Sequence, residues 1–199
     1  MNPISSSQGL VERIKHGDHD AFSALFEKHR SRLAVLIHYR LSPELRRFYE
    51  VDDILQETFL EAIRDFDQFT YQAAGSFMSW LACLSDHVMA DLARSRGRQK
   101  RRAAEILRFR SESNPSGPEP VDSRTPSRVF AEEEGLQGLL AKLNALPENY
   151  RQAILLMKVE GLTTQEAAAR LGKSNESTSL LLHRALKRFR ALQEPQGET

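Results

Sequence analysis

Three clusters of side chains set the chemistry open to this chain. The first is a basic run, Arg94, Arg96, Arg98, Lys100, Arg101 and Arg102, with no acid before Glu105. Cations this dense suit phosphate contact, because each neutralised phosphate releases condensed counterions. The plain alternative is a solubilising helix end. The second cluster is acidic: Asp52, Asp53, Gln56, Glu57 and Glu61. Spacings of three and four put these on one side of a helix, a hydrogen-bonding face suited to a basic partner helix or simply to water. The third follows a glycine turn: Lys173, Ser174, Asn175, Ser179, Leu180, His183, Arg184 and Lys187. Polar groups near a helix start can meet base edges, and later cations can meet phosphates.

Other chemistry finds no residues. The six histidines are scattered and Cys83 is the lone cysteine, so neither a disulfide nor a thiolate metal site can be built. Gly172-Lys173-Ser174 ends like a phosphate loop, but Ala167 stands where the first glycine belongs. No metal, cofactor, small-molecule substrate or catalysis is expected. Cys83, within Trp80–Leu84, reads as a helix-packing residue. The formal net charge is +1, so partners are signalled by charge distribution and not by its sum. No apolar run reaches bilayer length, and Met1–Ser7 lacks a basic start and apolar core. The expectation is a cytoplasmic protein without membrane insertion.

The elements that must position these clusters are helical, and strand signals are nearly absent. A short helix around Leu10 and Ile14 stops near Gly17. Asp18 or Asp20 caps a second, carrying Phe22, Leu25, Phe26, Leu33, Leu36 and Ile37. A short piece with Leu45 and Phe48 follows Pro43. Asp52–Phe66 is next, with Ile54, Leu55, Thr58, Phe59, Ala62, Ile63 and Phe66 inward, and Phe77–Arg96 after Gly75. Phe66 and Phe77 are expected in the core. Trp80 also reads as inward, though an aromatic beside basic residues can stack on unpaired bases. Ser111–Ser127 holds almost no apolar side chains and cannot offset its ordering entropy. Helices over Leu136–Leu146, Glu148–Glu160, Thr164–Leu171 and Asn175–Leu192 complete the chain. The fold class is therefore all-α, with two small helical domains at 8–106 and 136–193 on a flexible linker, 107–135.

Thr163–Ser174 leading into Asn175–Arg190 is a helix-turn-helix pattern. Thr163 or Thr164 caps, with Gln165 or Glu166 as capping partner. Ala167 and Ala168 allow close crossing, and Gly172 can adopt the left-handed turn. Thr178, Leu182, Ala185, Phe189 and Leu192 form the inward stripe. The run Ala145-Leu146-Pro147-Glu148, Ala153–Leu156, Glu160–Thr163, Glu166–Ala168, Leu171-Gly172 and His183-Arg184-Ala185 resembles region 4 of the sigma-70 family. It looks most like the extracytoplasmic function (ECF) group.

The acidic run Asp52–Ala62 resembles the family's region 2.2, and Phe77–Leu81 with Asp91–Arg94 resembles regions 2.3 and 2.4. The resemblance implies two domains, one a region 2-like bundle and the other a region 4-like helix-turn-helix. It implies core RNA polymerase as partner, through its β′ clamp (Asp52, Asp53, Gln56, Glu57) and its β flap. It implies promoter DNA at the −10 element (Trp80, His87, Arg94, Arg96, Arg98, Lys100, Arg101, Arg102). It also implies DNA at the −35 element (Lys173, Ser174, Asn175, Ser179, Leu180, His183, Arg184, Lys187). An anti-sigma factor is a further partner the resemblance allows. No segment is long enough for the middle domain of primary sigma factors, which favours the ECF group.

Two departures stand out. Asp86 and His87 occupy positions where the family often has a basic residue and asparagine, and Asp86 would repel phosphate. Leu180 lies off the core stripe, where hydroxyl and basic residues are usual, and could touch thymine methyls. The longer Tyr39–Val51 region has no role assigned by sequence. Two other classes fit less of the chain: a stand-alone helix-turn-helix regulator, and a sigma mimic that binds polymerase without DNA.

Overall fold

The computed structural model describes residues 6–73, 75–109 and 134–192, and every described element is helical. Helix α1 (Ser7–Lys15) packs on α2 (His19–Arg40), and Asp18 caps α2 by accepting from the Ala21 amide. A single turn, α3 (Pro43–Arg46), precedes α4 (Val51–Arg64) and the long α5 (Ser76–Phe109). The second group comprises α6 (Glu134–Asn144), α7 (Glu148–Ile154), α8 (Thr164–Leu171) and α9 (Asn175–Ala191).

Helices α2, α4 and α5 share one core. Leu25, Leu33, Leu36 and Ile37 of α2, Ile54 of α4, and Phe77, Met78 and Leu81 of α5 are fully buried. Phe66 and Phe69, around a short 3₁₀ turn, sit edge-on or tilted against Phe22, Phe77 and Trp80. Each such ring contributes roughly 2–3 kcal/mol by leaving water. Trp80 is half-buried, with its ring centroid 5.0 Å from that of Phe69 and 5.6 Å from that of Phe77.

Several expectations need correction. Ile63, expected inward, is 49% exposed; the helix turns back into a 3₁₀ turn just beyond it, so no neighbour covers that position. Cys83 is exposed and does not pack. Helix α5 does not stop near Arg96 but runs into the region read as linker, to Phe109. Most of the expected 107–135 linker lies outside the described residues. The expected single helix Glu148–Glu160 instead changes pitch at Leu155 and ends in a π-helical turn, Leu155–Glu160. Gly161 closes that turn at φ +90°, and its N–H donates to the Leu156 carbonyl.

The two groups touch. Helix α2 meets α6 and the π turn, and α5 meets the π turn as well. Arg32 donates to the Val159 carbonyl at 2.7 and 3.0 Å and to that of Lys158 at 3.3 Å. Tyr39 donates to Asn144 Oδ1 at 2.9 Å.

Candidate nucleic-acid and partner interfaces

The acidic cluster is positioned by the cap of α4. Glu50 and Asp53 form a reciprocal capping box, in which the Glu50 amide donates to Asp53 Oδ2 at 2.7 Å. Two acids at the helix start also suit the positive end of its dipole. With Val51, Ile54, Leu55, Thr58 and Ala62 buried, the helix turns Asp53, Gln56 and Glu57 into solvent, and Asp52 is half-buried. Leu60 extends the same face and is 52% exposed. Sequence patterning passed over Leu60. The signal was its spacing, seven residues from Asp53 and three or four from Glu57 and Gln56.

On α5, His87, Arg94 and Arg98 are exposed at steps of seven and four, so they share one side of the helix. Arg94 pairs with Asp91 one turn back. Arg96 departs from this side and stacks its guanidinium 3.8 Å from the Phe48 ring centroid. That contact gives the unassigned Tyr39–Val51 region a structural role, bracing α5 from the side. Ser42 caps α3, Leu41 and Leu45 are buried, and Arg46 donates to the carbonyls of Leu41 and His38. The side chains of Lys100, Arg101 and Arg102 lie outside the described residues.

Asp86 faces away from this stripe. It accepts from Arg40 of α2 at 3.1 and 3.3 Å. The carboxylate that would repel phosphate is thus engaged by a cation within the same bundle.

In the second group the helix-turn-helix forms as its residues require. Thr163 and Glu166 make the capping box, and Gly172 takes φ +62° at the turn. Accepting from the Thr163 hydroxyl and amide holds the Glu166 carboxyl below its ordinary range. Ala167 and Ala168 are buried where α9 crosses α8. Ser174 caps α9 by accepting from the Ser177 amide at 3.2 Å. Thr178 and Ala185 point inward, while Lys173, Ser174, Asn175, Ser179, Leu180, His183, Arg184 and Lys187 are all exposed. The last five fall at steps of one, three and four along one face, broad enough to enter a major groove.

Residues that sequence patterning did not select meet at the contact between the groups. Glu160 is 1% exposed, and its carboxylate is held by Arg40 of α2 and, at 3.0 Å, by Arg170 of α8. No period of hydrophobicity signals such a site, because its members come from three separated elements.

No group of three or more metal-binding side chains occurs among the described residues. Nor is any helix among them long and apolar enough to cross a membrane.

Comparison with known proteins agrees with this geometry. Residues 25–99 match the family model "Sigma-70 region 2", and residues 136–189 match "Sigma-70, region 4". The chain is 29% identical over 169 residues to the ECF RNA polymerase sigma-E factor of Escherichia coli K12, covering 85% of this chain and 84% of that one. It is 29% identical over 179 residues to the ECF RNA polymerase sigma factor BldN of Streptomyces coelicolor, covering 89% and 62%. A solved structure of CnrH in complex with the cytosolic domain of CnrY aligns over 95% of this chain and 97% of that one, with a TM-score of 0.47 and 24% identity. Two successive family segments in their proper order, on an acidic helix, a basic helix and a helix-turn-helix, lead to one conclusion: the chain belongs to the sigma-70 family, in the ECF group, and is an RNA polymerase sigma factor with core polymerase and promoter DNA as its partners.

Proposed function

We propose that α4 docks the protein on the polymerase β′ clamp, that α5 contacts the −10 element and that α9 reads the −35 element. The supporting observation is that each candidate cluster is presented to solvent by a helix whose opposite side is anchored in a core. Asp53, Gln56 and Glu57, with Asp52 and Leu60 beside them, form the polymerase face. His87, Arg94 and Arg98 form the −10 face. Arg96 is positioned by Phe48, and Lys100, Arg101 and Arg102 extend the basic run in sequence. Trp80, half-buried among phenylalanines, keeps one edge at the surface, where an unpaired base could stack. Lys173, Ser174, Asn175, Ser179, Leu180, His183, Arg184 and Lys187 form the −35 face.

The protein acts by binding, not by catalysis, and works in the cytoplasm. Family membership makes an anti-sigma factor a reasonable further partner. The domains are taken as 8–106 and 136–193, with the long α5 leading into the linker between them.

In vitro transcription with core polymerase and a fragmented host genomic library tests this reading. Discrete transcripts are expected, and they should disappear when Asp53, Gln56 and Glu57 are replaced together by alanine. Failure to bind core polymerase would end the reading. Gel shift separates the alternatives: a stand-alone regulator shifts promoter DNA without polymerase, and a mimic never shifts it. Phosphate contact by the basic run is tested by Arg98→Ala, Arg101→Ala and Arg102→Ala together. Roughly 0.7–0.9 of log–log salt slope should be lost per contact removed, and an unchanged slope returns the run to a solubilising role.

A further inference from the structure

A crevice of about 510 Å³ opens between α2, α7, the π turn and α8. Its size falls within the range of small-molecule sites, roughly 300–1,000 Å³. None of the residues proposed to meet polymerase or DNA lines it.

Its chemistry is mixed. Leu36, Leu155, Leu156 and Leu171 supply an apolar wall. Arg40, Arg151 and Arg170 bring guanidiniums to it, against the carboxylates of Asp86 and Glu148. Both acids are already engaged. Asp86 accepts from Arg40 at 3.1 and 3.3 Å. Glu148 accepts from Arg151 on one oxygen and, at 2.9 Å, from Gln152 on the other. The Arg151 bond holds the Glu148 carboxyl below its ordinary range.

The arginines are not used up. A guanidinium carries several N–H donors in one planar fork. Among the described residues, Arg170 reaches the Glu160 carboxylate through one nitrogen, at 3.0 and 3.2 Å. Arg151 reaches Glu148 through one nitrogen as well, and its guanidinium carbon lies 5.3 Å from the Tyr39 ring centroid. Both forks keep N–H groups that can grip a carboxylate or phosphate in pairs. Glu160, buried behind Arg40 and Arg170, keeps the local charge near balance. The crevice therefore selects an anion by fork geometry and by an apolar body, and not by net field.

We propose that this crevice binds a small amphiphilic organic anion. Its carboxylate or phosphate lies on Arg151 and Arg170, and its hydrocarbon or ring body lies on the leucines. The site does not depend on which helix face meets DNA or polymerase.

The probe is 8-anilinonaphthalene-1-sulfonate, a flat apolar body whose sulfonate stands in for carboxylate or phosphate. Titrated into the full chain, it should bind at one site with a Kd of roughly 10–100 μM, as suits a ligand of about 20 non-hydrogen atoms. Its emission should rise and shift to the blue. Gln152→Trp brings an indole into the crevice from an exposed position on α7. It should weaken binding at least about tenfold by occupying the ligand's space. Arg151→Lys keeps the charge but loses the planar fork, and should weaken binding about fivefold. Ile63→Ala removes an exposed apolar side chain of α4 that does not line the crevice, and should leave binding unchanged. Melting curves identify the variants that remain folded, and the two crevice variants are independent of each other.

Decanoate and a nucleoside triphosphate then compete with the probe in the parent protein. Displacement by decanoate assigns the site to carboxylates, and displacement by the nucleotide assigns it to phosphates. Displacement by neither overturns the site. So does binding as strong in folded Gln152→Trp or Arg151→Lys as in the parent, or binding at many weak sites that Ile63→Ala reduces equally.

Discussion

Carboxylates are used in two opposite ways in this molecule. On α4, Asp53 and Glu57 stand in water on a face backed by a core. At the π turn, Glu160 is removed from water and held by arginines of two helix groups. The first arrangement keeps its charge available to something outside the chain. The second spends it inside, and an acid so placed must stay paired, since an unpaired buried charge costs several kcal/mol. The contrast separates acids left at the surface, which we propose face a partner, from an acid buried against arginines, and residue type alone does not reveal it.

Substitutions at each site can break this contrast. Replacing Asp53, Gln56 and Glu57 together by alanine should weaken core polymerase binding by about 100-fold, at roughly 1 kcal/mol per lost contact. The free protein should lose only about 1 kcal/mol of stability, through the Asp53 arm of the α4 capping box. Titration of core polymerase checks the first expectation and calorimetry the second. A large loss of stability with unchanged binding would reverse the assignment of this face. At the other site, Glu160→Ala should cost about 2–3 kcal/mol in urea denaturation, because Arg40 and Arg170 are left facing each other. Glu160→Gln should cost less. If Glu160→Ala melts like the parent, the carboxylate contributes nothing to the fold.

Acid titration sharpens the same comparison with a third kind of buried polar group. His29 is buried beside Phe77, 3.4 Å from Ser7 Oγ, and desolvation pushes its pKa down to about 4. Nearby Arg32 and Lys28 act in the same direction. The unfolded chain binds this proton below about 6.5 and the folded one only near 4. Stability is therefore complete above pH 6.5 and falls as pH drops toward 4, by about 3 kcal/mol for this residue. His29→Leu should flatten that slope in pH-dependent denaturation, and an unchanged slope would show that other groups carry it. The smallest effect is expected at Leu180, 49% exposed on α9. Leu180→Ala should shift base preference at one position of the −35 element by about 1 kcal/mol, as read by binding to a randomised element. A uniform loss across sequences would mean that Leu180 does not read a base.

Periodicity and end signals carried much of the architecture. Local rules act over three or four residues, so the Thr163–Glu166 box, the Gly172 turn, the Asp18 cap and the outward faces of α4 and α9 follow from the residues around them. Ile63 and Cys83 escaped those rules, because whether an apolar residue is covered depends on which distant element lies over it. The Glu148–Glu160 pattern likewise fits a regular helix, and its change of pitch accompanies contact with α2, α5 and α8.

What the sequence by itself determined is the set of helices, the two-part organisation and the three polar clusters, since each is written in spacings along one segment. What only the tertiary structure decided is the company that Arg40, Asp86, Glu160 and Arg170 keep. Those residues lie up to 130 positions apart, and a charge buried between distant elements leaves no period in the chain: its energy depends on a partner whose distance in space is independent of its distance in sequence.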